Sequence, residues 1–275
     1  MESTTAFLDP AEREGSPPRG VTRYLLSSPA DGATNMALDE ALLHRAAQTG
    51  DVLYRVYAWA SPTVSLGRNQ PGLGRYDVAL ARTRGIDFVR RPTGGRAILH
   101  HREITYAVAA PVSAYGSLRE SYRTINRLLL EALRMVGVDA REAETSNRAP
   151  APSLAPCFAS PVAGELVAGG RKLVGSAQVR EGDAFLQHGS ILLENDQELL
   201  TELLVHRERS TPPATVRALL GRSITIQEFA EALASAITTH DGLPPYPMEL
   251  DAPLLDDVHS LIRTRYALAD WTWRR

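Results

Sequence analysis

Glu165-Leu166-Val167-Ala168-Gly169-Gly170-Arg171-Lys172-Leu173-Val174-Gly175-Ser176-Ala177-Gln178 has the pattern of two strands joined by a tight turn. Two apolar runs flank Ala168-Gly169-Gly170, and paired glycines at a two-residue connection accept the positive φ angles of a tight hairpin turn. Glu181-Gly182-Asp183 gives a second turn signal before the apolar run from Ala184 to Leu193. Successive strands joined this tightly must be antiparallel, and Lys172 falls on one of them.

Outward from this core, Val52 to Trp59, Thr63 to Leu66, Ile86 to Arg90, Ala97 to His100 and Thr105 to Ala109 read as further strands, with a helix from about Tyr76 to Thr83 stopped by Gly85. Helical periodicity marks Leu38, Ala41, Leu42 and Ala46, with Gly50 as the stop. Ser117-Leu118-Arg119-Glu120 and Thr225-Ile226-Gln227-Glu228 are capping boxes opening two more helices, and a last helix runs from about Leu254 to Tyr266. The segment from Asp139 to Pro156, rich in Ala, Pro and Ser, reads as a surface loop. The order predicts an α+β fold, a mixed and largely antiparallel sheet flanked by helices. Residues 1–20 read as a disordered N-terminal tail, and residues 21–275 as a single domain with a helical C-terminal portion.

A formal net charge of −2 gives no global attraction for nucleic acid, and no recognised nucleic-acid motif accompanies the arginines. A single cysteine excludes an internal disulfide and fits a reducing compartment. No stretch approaches the apolar length of a membrane helix, and Met1 to Gly20 lacks the pattern of a signal peptide. A cytoplasmic protein that binds neither membrane nor nucleic acid is expected.

Three segments carry chemistry. Cys157 stands at the end of the loop, fifteen positions before Lys172. A thiol attacks as the thiolate, which a nearby amine or ammonium favours while it moves the proton; the alternative is a buried, inert thiol. Arg90-Arg91-Pro92-Thr93-Gly94-Gly95-Arg96-Ala97-Ile98-Leu99-His100 is either an anion-binding loop or a tight turn with solvated arginines. Gly175, Ser176 and Ala177 leave space that either a slender acyl chain or a neighbouring backbone fills. His188, in Leu186-Gln187-His188-Gly189-Ser190, lies on an apolar strand where structural histidines outnumber ligands. His100-His101 lacks the spacing of a zinc site, so no metal is expected.

These segments, together with Asn35-Met36-Ala37-Leu38-Asp39-Glu40 and Leu186-Gln187-His188-Gly189-Ser190-Ile191-Leu192, resemble the biotin/lipoate protein ligase superfamily over about residues 22 to 272. Cys157 resembles the nucleophile of its cysteine-type octanoyltransferases, whereas lipoate ligases carry an Asn-Asp pair there. Arg96 replaces the third glycine of many ligases, and His101 replaces an aspartate.

The resemblance implies the biotin/lipoate ligase catalytic-domain fold and transfer of octanoyl from acyl carrier protein. The acceptor would be a lysine of lipoyl domains of 2-oxoacid dehydrogenases or of glycine-cleavage H protein. Cys157 and Lys172 would be catalytic. Arg91, Gly94, Gly95, Arg96, His100, Gly175, Ser176, Ala177 and His188 would bind substrate. No cofactor would be needed, because thioester to amide is downhill. The competing readings are an ATP-dependent lipoate ligase, with Cys157 incidental, and a non-catalytic protein that binds lipoyl domains or acyl carriers.

Overall fold

The computed structural model describes residues 20–143, 164–206 and 211–275. In chain order, β1 (Thr22–Leu26) leads to α1 (Gly32–Thr49), β2 (Val52–Tyr57), β3 (Thr63–Leu66) and α2 (Val78–Thr83). Then come β4 (Asp87–Arg90), β5 (Ile98–His100), β6 (Glu103–Pro111), α3 (Leu118–Met135) and β7 (Arg141–Glu142). The chain continues through β8 (Leu166–Ala168), β9 (Arg171–Glu181), β10 (Ala184–Leu192), α4 (Gln197–Leu203), α5 (Val216–Leu220) and α6 (Ile226–Asp241). It closes with β11 (Tyr246–Pro247), α7 (Ala252–Leu261), a short π-helical stretch and α8 (Ala269–Thr272).

The α+β expectation holds. An eight-stranded sheet runs β11-β1-β2-β6-β10-β9-β8-β7, parallel where β1 meets β11 and β2, and antiparallel elsewhere. The first departure is that β4, β3 and β5 form a separate three-stranded sheet rather than joining the large one. The second is that Arg141–Glu142, read as loop, pairs with β8 as an edge strand. Two residues carry too little periodicity to announce a strand.

Local chemistry explains the elements. Asp31 caps α1 by accepting from the Thr34 N–H, and both predicted capping boxes form, at Ser117/Glu120 and Thr225/Glu228. Gly169 and Gly170 have φ of 55° and 74° between the paired Ala168 and Arg171, the geometry of a two-residue hairpin. β6 and β10 are buried on both faces. Tyr106, Val108 and Phe185 point into a core with α3 and α6, whereas Ala107, Ala109 and Leu186 meet α1 and α7. That alternation puts His188, two residues after Leu186, on the α1 side.

Gly20, the first described residue, donates its N–H to Asp51 Oδ1 at 2.8 Å. Among the described residues no helix is long and apolar enough to cross a membrane.

Candidate active site

β9 and β10 pair so that Ser190 faces Gly175, Gly189 faces Ser176 and His188 faces Ala177. These small residues form the floor of an open cleft whose empty space, bulk solvent at its mouth included, is about 430 Å³. Met36 of α1, Tyr57, Trp59 and Thr105 close one side, and Arg91, Gly95, Ile98 and His100 of the three-stranded sheet and its loop close the other. Gly189 has no alternative here. A Cβ would stand 2.5 Å from the Gly175 carbonyl oxygen and 2.7 Å from the Tyr106 ring. Thus the small-residue run is matched by open space beside it rather than only by a packed neighbour.

The polar residues behind the cleft are locked. His188 Nδ1 lies 2.9 Å from Asp39 Oδ2 and Nε2 lies 2.7 Å from Thr93 Oγ1. The Asp39 carboxylate requires the Nδ1–H tautomer, so Nε2 accepts from the Thr93 hydroxyl. Burial pushes the His188 imidazole below its ordinary pKa, which keeps it neutral at pH 7. Burial alone would raise Asp39, but the His188 hydrogen bond and the Arg55 guanidinium outweigh it, holding the carboxyl below its usual range. Arg55 Nη1 is 2.7 Å from Asp39 Oδ1, Nη2 is 2.7 Å from Asn35 Oδ1, and Tyr57 donates to Asp39 Oδ2 at 2.8 Å.

A second network centres on Glu103 Oε1. It accepts from the Thr105 and Ser190 hydroxyls at 2.7 and 2.8 Å and lies 2.7 Å from His100 Nδ1. His100 stacks on Trp59 with centroids 4.0 Å apart and contacts Ser65 Oγ through Nε2. Both of its ring nitrogens are therefore engaged. His101, where an aspartate was expected, meets one from elsewhere: its Nδ1 is 2.8 Å from Asp196 Oδ2.

Arg91 has a different place from that of an open anion receptor. Its guanidinium donates to the carbonyls of Ser65, Gly94 and Arg96 and to Ser65 Oγ, which ties the Thr93–Arg96 loop down beside the cleft. Gly94 and Arg96 are on that loop but do not line the cleft.

Lys172 is 2% exposed, and its Nζ donates to Glu165 Oε1 at 2.5 Å across the β8–β9 hairpin. It precedes Gly175 by three residues, about 10 Å along a strand. It is also the only lysine in the sequence, where the other 29 of 30 basic side chains are arginine. A buried ion pair adds little net stability over apolar packing. An amine differs from the guanidinium found at the other basic positions in being able to lose its proton when desolvated, which guanidinium does not do. Cys157 lies outside the described residues.

Sequence reasoning did not single out Glu165, Glu103, Arg55 or Thr93. Glu165 had one available signal, an acid seven positions before Lys172 across a hairpin turn. Asp39 had been noticed only as part of a motif.

The sequence pattern of the lipoyl protein ligase A/B catalytic domain matches residues 31–238, and the chain belongs to that family. It is 38% identical over 272 residues to the octanoyltransferase LipM of Kyrpidia tusciae, covering 92% of this chain and 98% of that protein. It is 34% identical over 273 residues to the octanoyltransferase LipM of Bacillus subtilis, with the same coverage. Among solved structures, lipoate-protein ligase A bound with ATP matches with a TM-score of 0.76 at 21% identity, covering 92% of this chain and 98% of that one. The bi-partite lipoate protein ligase of Thermoplasma acidophilum matches with a TM-score of 0.74 at 20% identity, covering 92% and 96%. These two show the shared fold.

Proposed function

We propose that this chain is an octanoyltransferase of protein lipoylation that works through a thioester at Cys157. Cys157 gives its proton to Lys172, and the thiolate attacks the carbonyl of octanoyl-acyl carrier protein. The carrier's phosphopantetheine thiol leaves with a proton returned from Lys172. The ε-amine of an acceptor lysine then attacks octanoyl-Cys157, forming an amide and releasing the cysteine. The acceptor is a lipoyl domain of a 2-oxoacid dehydrogenase or glycine-cleavage H protein.

The observation that carries this reading is the sole lysine of the chain, buried on the strand whose next residues floor the cleft. Near-full-length similarity to octanoyltransferases supports the acyl group and the lipoylation setting. Gly175, Ser176 and Ala177 would pass the acyl chain, and His188 would hold Thr93 and its loop in place rather than exchange protons. The apolar cleft contributes about 0.8 kcal/mol per buried methylene, so preference for eight carbons is graded rather than absolute.

Incubation with octanoyl-carrier protein and a lipoyl domain, without ATP, should octanoylate the domain. Pyrophosphate release on addition of ATP and lipoate, with no ATP-free transfer, would instead make the chain a ligase.

A further inference from the structure

Two segments far apart in sequence bring arginines together beside the cleft. The Arg68 N–H donates to the Thr93 carbonyl at 2.8 Å, which joins Arg68 to the loop carrying Gly95, a cleft residue, and Arg96. Arg274 Nη2 donates to the Arg68 carbonyl at 2.6 Å, and its guanidinium lies 3.9 Å over the Trp271 ring. A main-chain oxygen of Arg275, the last residue of the sequence, accepts from the N–H groups of Gly72 and Leu73, which ties these residues and their terminal carboxylate to the same loop. Arg90 Nη1 and Nε, donating to the carbonyls of Gly67, Gln70 and Thr272, clamp the two segments from beneath.

Arg68, Arg274 and Arg275 are exposed residues and Arg96 is half-buried. Among the described residues none of the four has a carboxylate partner, whereas Arg55, Arg84, Arg102, Arg217 and Arg265 each do. Burial and then the charges of Arg274 and Arg275 push Arg90 down to about 10; burial and the charges of Arg68, Arg275 and Arg265 lower Arg274. Like charges therefore accumulate at one place on a chain whose net charge is −2.

We propose that the rim formed by Arg68, Arg96, Arg274 and Arg275 docks the acyl donor, an acidic carrier protein whose pantetheine arm brings a phosphodiester to the cleft mouth. This rests on the octanoyl-transfer reading. Two arguments favour the donor over the acceptor. Guanidinium groups match phosphate and carboxylate oxygens in bidentate pairs. The acceptor, by contrast, presents a lysine side chain, whose cation a positive rim repels.

Three rates are measured for wild type and the double variant Arg68→Glu/Arg275→Glu. These are acylation of the enzyme by octanoyl-carrier protein, acylation by uncharged octanoyl-pantetheine, and transfer from preformed octanoyl-enzyme to a lipoyl domain. The expected result is that the ratio of kcat/KM for carrier over pantetheine falls at least about tenfold, with the second transfer following wild type. Octanoyl-phosphopantetheine as a third donor separates the phosphate contribution from that of acidic side chains. An equal fall for both donors, or a loss confined to transfer onto the lipoyl domain, overturns the proposal. Binding of octanoyl-carrier protein to Cys157→Ser is read by calorimetry at low and high salt. Absent or salt-independent binding removes the rim proposal whatever happens at Cys157, and failure of wild type to become acylated removes the thioester reading while binding still tests the rim.

Discussion

Lys172 Nζ lies 2.5 Å from Glu165 Oε1 with both side chains buried, so the only lysine amine of this protein is anchored by a carboxylate. In the proposed mechanism this pair would fix where the amine delivers or takes a proton. Arginine keeps the charge but cannot deprotonate near neutral pH, so Lys172→Arg should be about as inactive as Lys172→Ala, at least about 10²-fold below wild type. An active arginine variant would show that charge alone suffices. Glu165→Gln keeps the shape and removes the anion, and should slow acylation of Cys157 while shifting its pH profile. Because the lysine is unique, selective ¹³C-lysine labelling reads the Lys172 titration as a single signal. A profile and a lysine signal both unchanged in Glu165→Gln would leave the pair a packing feature.

Asp39 neutralises Arg55 where both side chains are fully buried. Asp39→Asn leaves the guanidinium charge buried without its counter-ion, which should cost about 3–5 kcal/mol. Urea denaturation measures this directly. A loss under about 1 kcal/mol would mean that Arg55 finds another partner.

Acid should destabilise the fold first through His188. Its folded pKa lies below the ordinary 6.5, so the unfolded chain binds more protons as pH falls through that value. Its contribution is therefore fully present above 6.5 and lost on acidification toward the folded pKa, with Asp39 following below 3.8. Denaturation midpoints between pH 7 and 5 should fall in wild type and fall less in His188→Gln. Identical slopes would assign the acid sensitivity elsewhere.

Ala177 lies on the proposed path of the acyl chain. Ala177→Leu fills about three methylenes' worth of space, and at about 0.8 kcal/mol per methylene the preferred donor should shorten from octanoyl toward hexanoyl. Competition between the two donors tests it; an unchanged preference would move the acyl chain off this floor.

Much of this was readable in the sequence because it depends on neighbours along the chain. The Gly169-Gly170 turn, both capping boxes and the β9–β10 hairpin follow from local signals. The floor of Gly175, Ser176 and Ala177 followed from the absence of side chains to fill space. What escaped depends on chain segments meeting from afar. Asp39 meets His188 across 149 positions, and Arg274 meets Arg68 across 206. No periodicity encodes such pairs. The separation of the three-stranded sheet was hidden for the same reason, since β3 pairs in parallel with β4 only after the intervening helix returns the chain.

Covalent catalysis at Cys157 is read from the intact mass of the protein after incubation with octanoyl-carrier protein. Wild type should gain one octanoyl group without ATP, mapped to Cys157 by peptide analysis, and Cys157→Ala should gain none and fail to octanoylate a lipoyl domain. A Cys157→Ala protein that octanoylates the domain at the wild-type rate would rule out the thioester at Cys157.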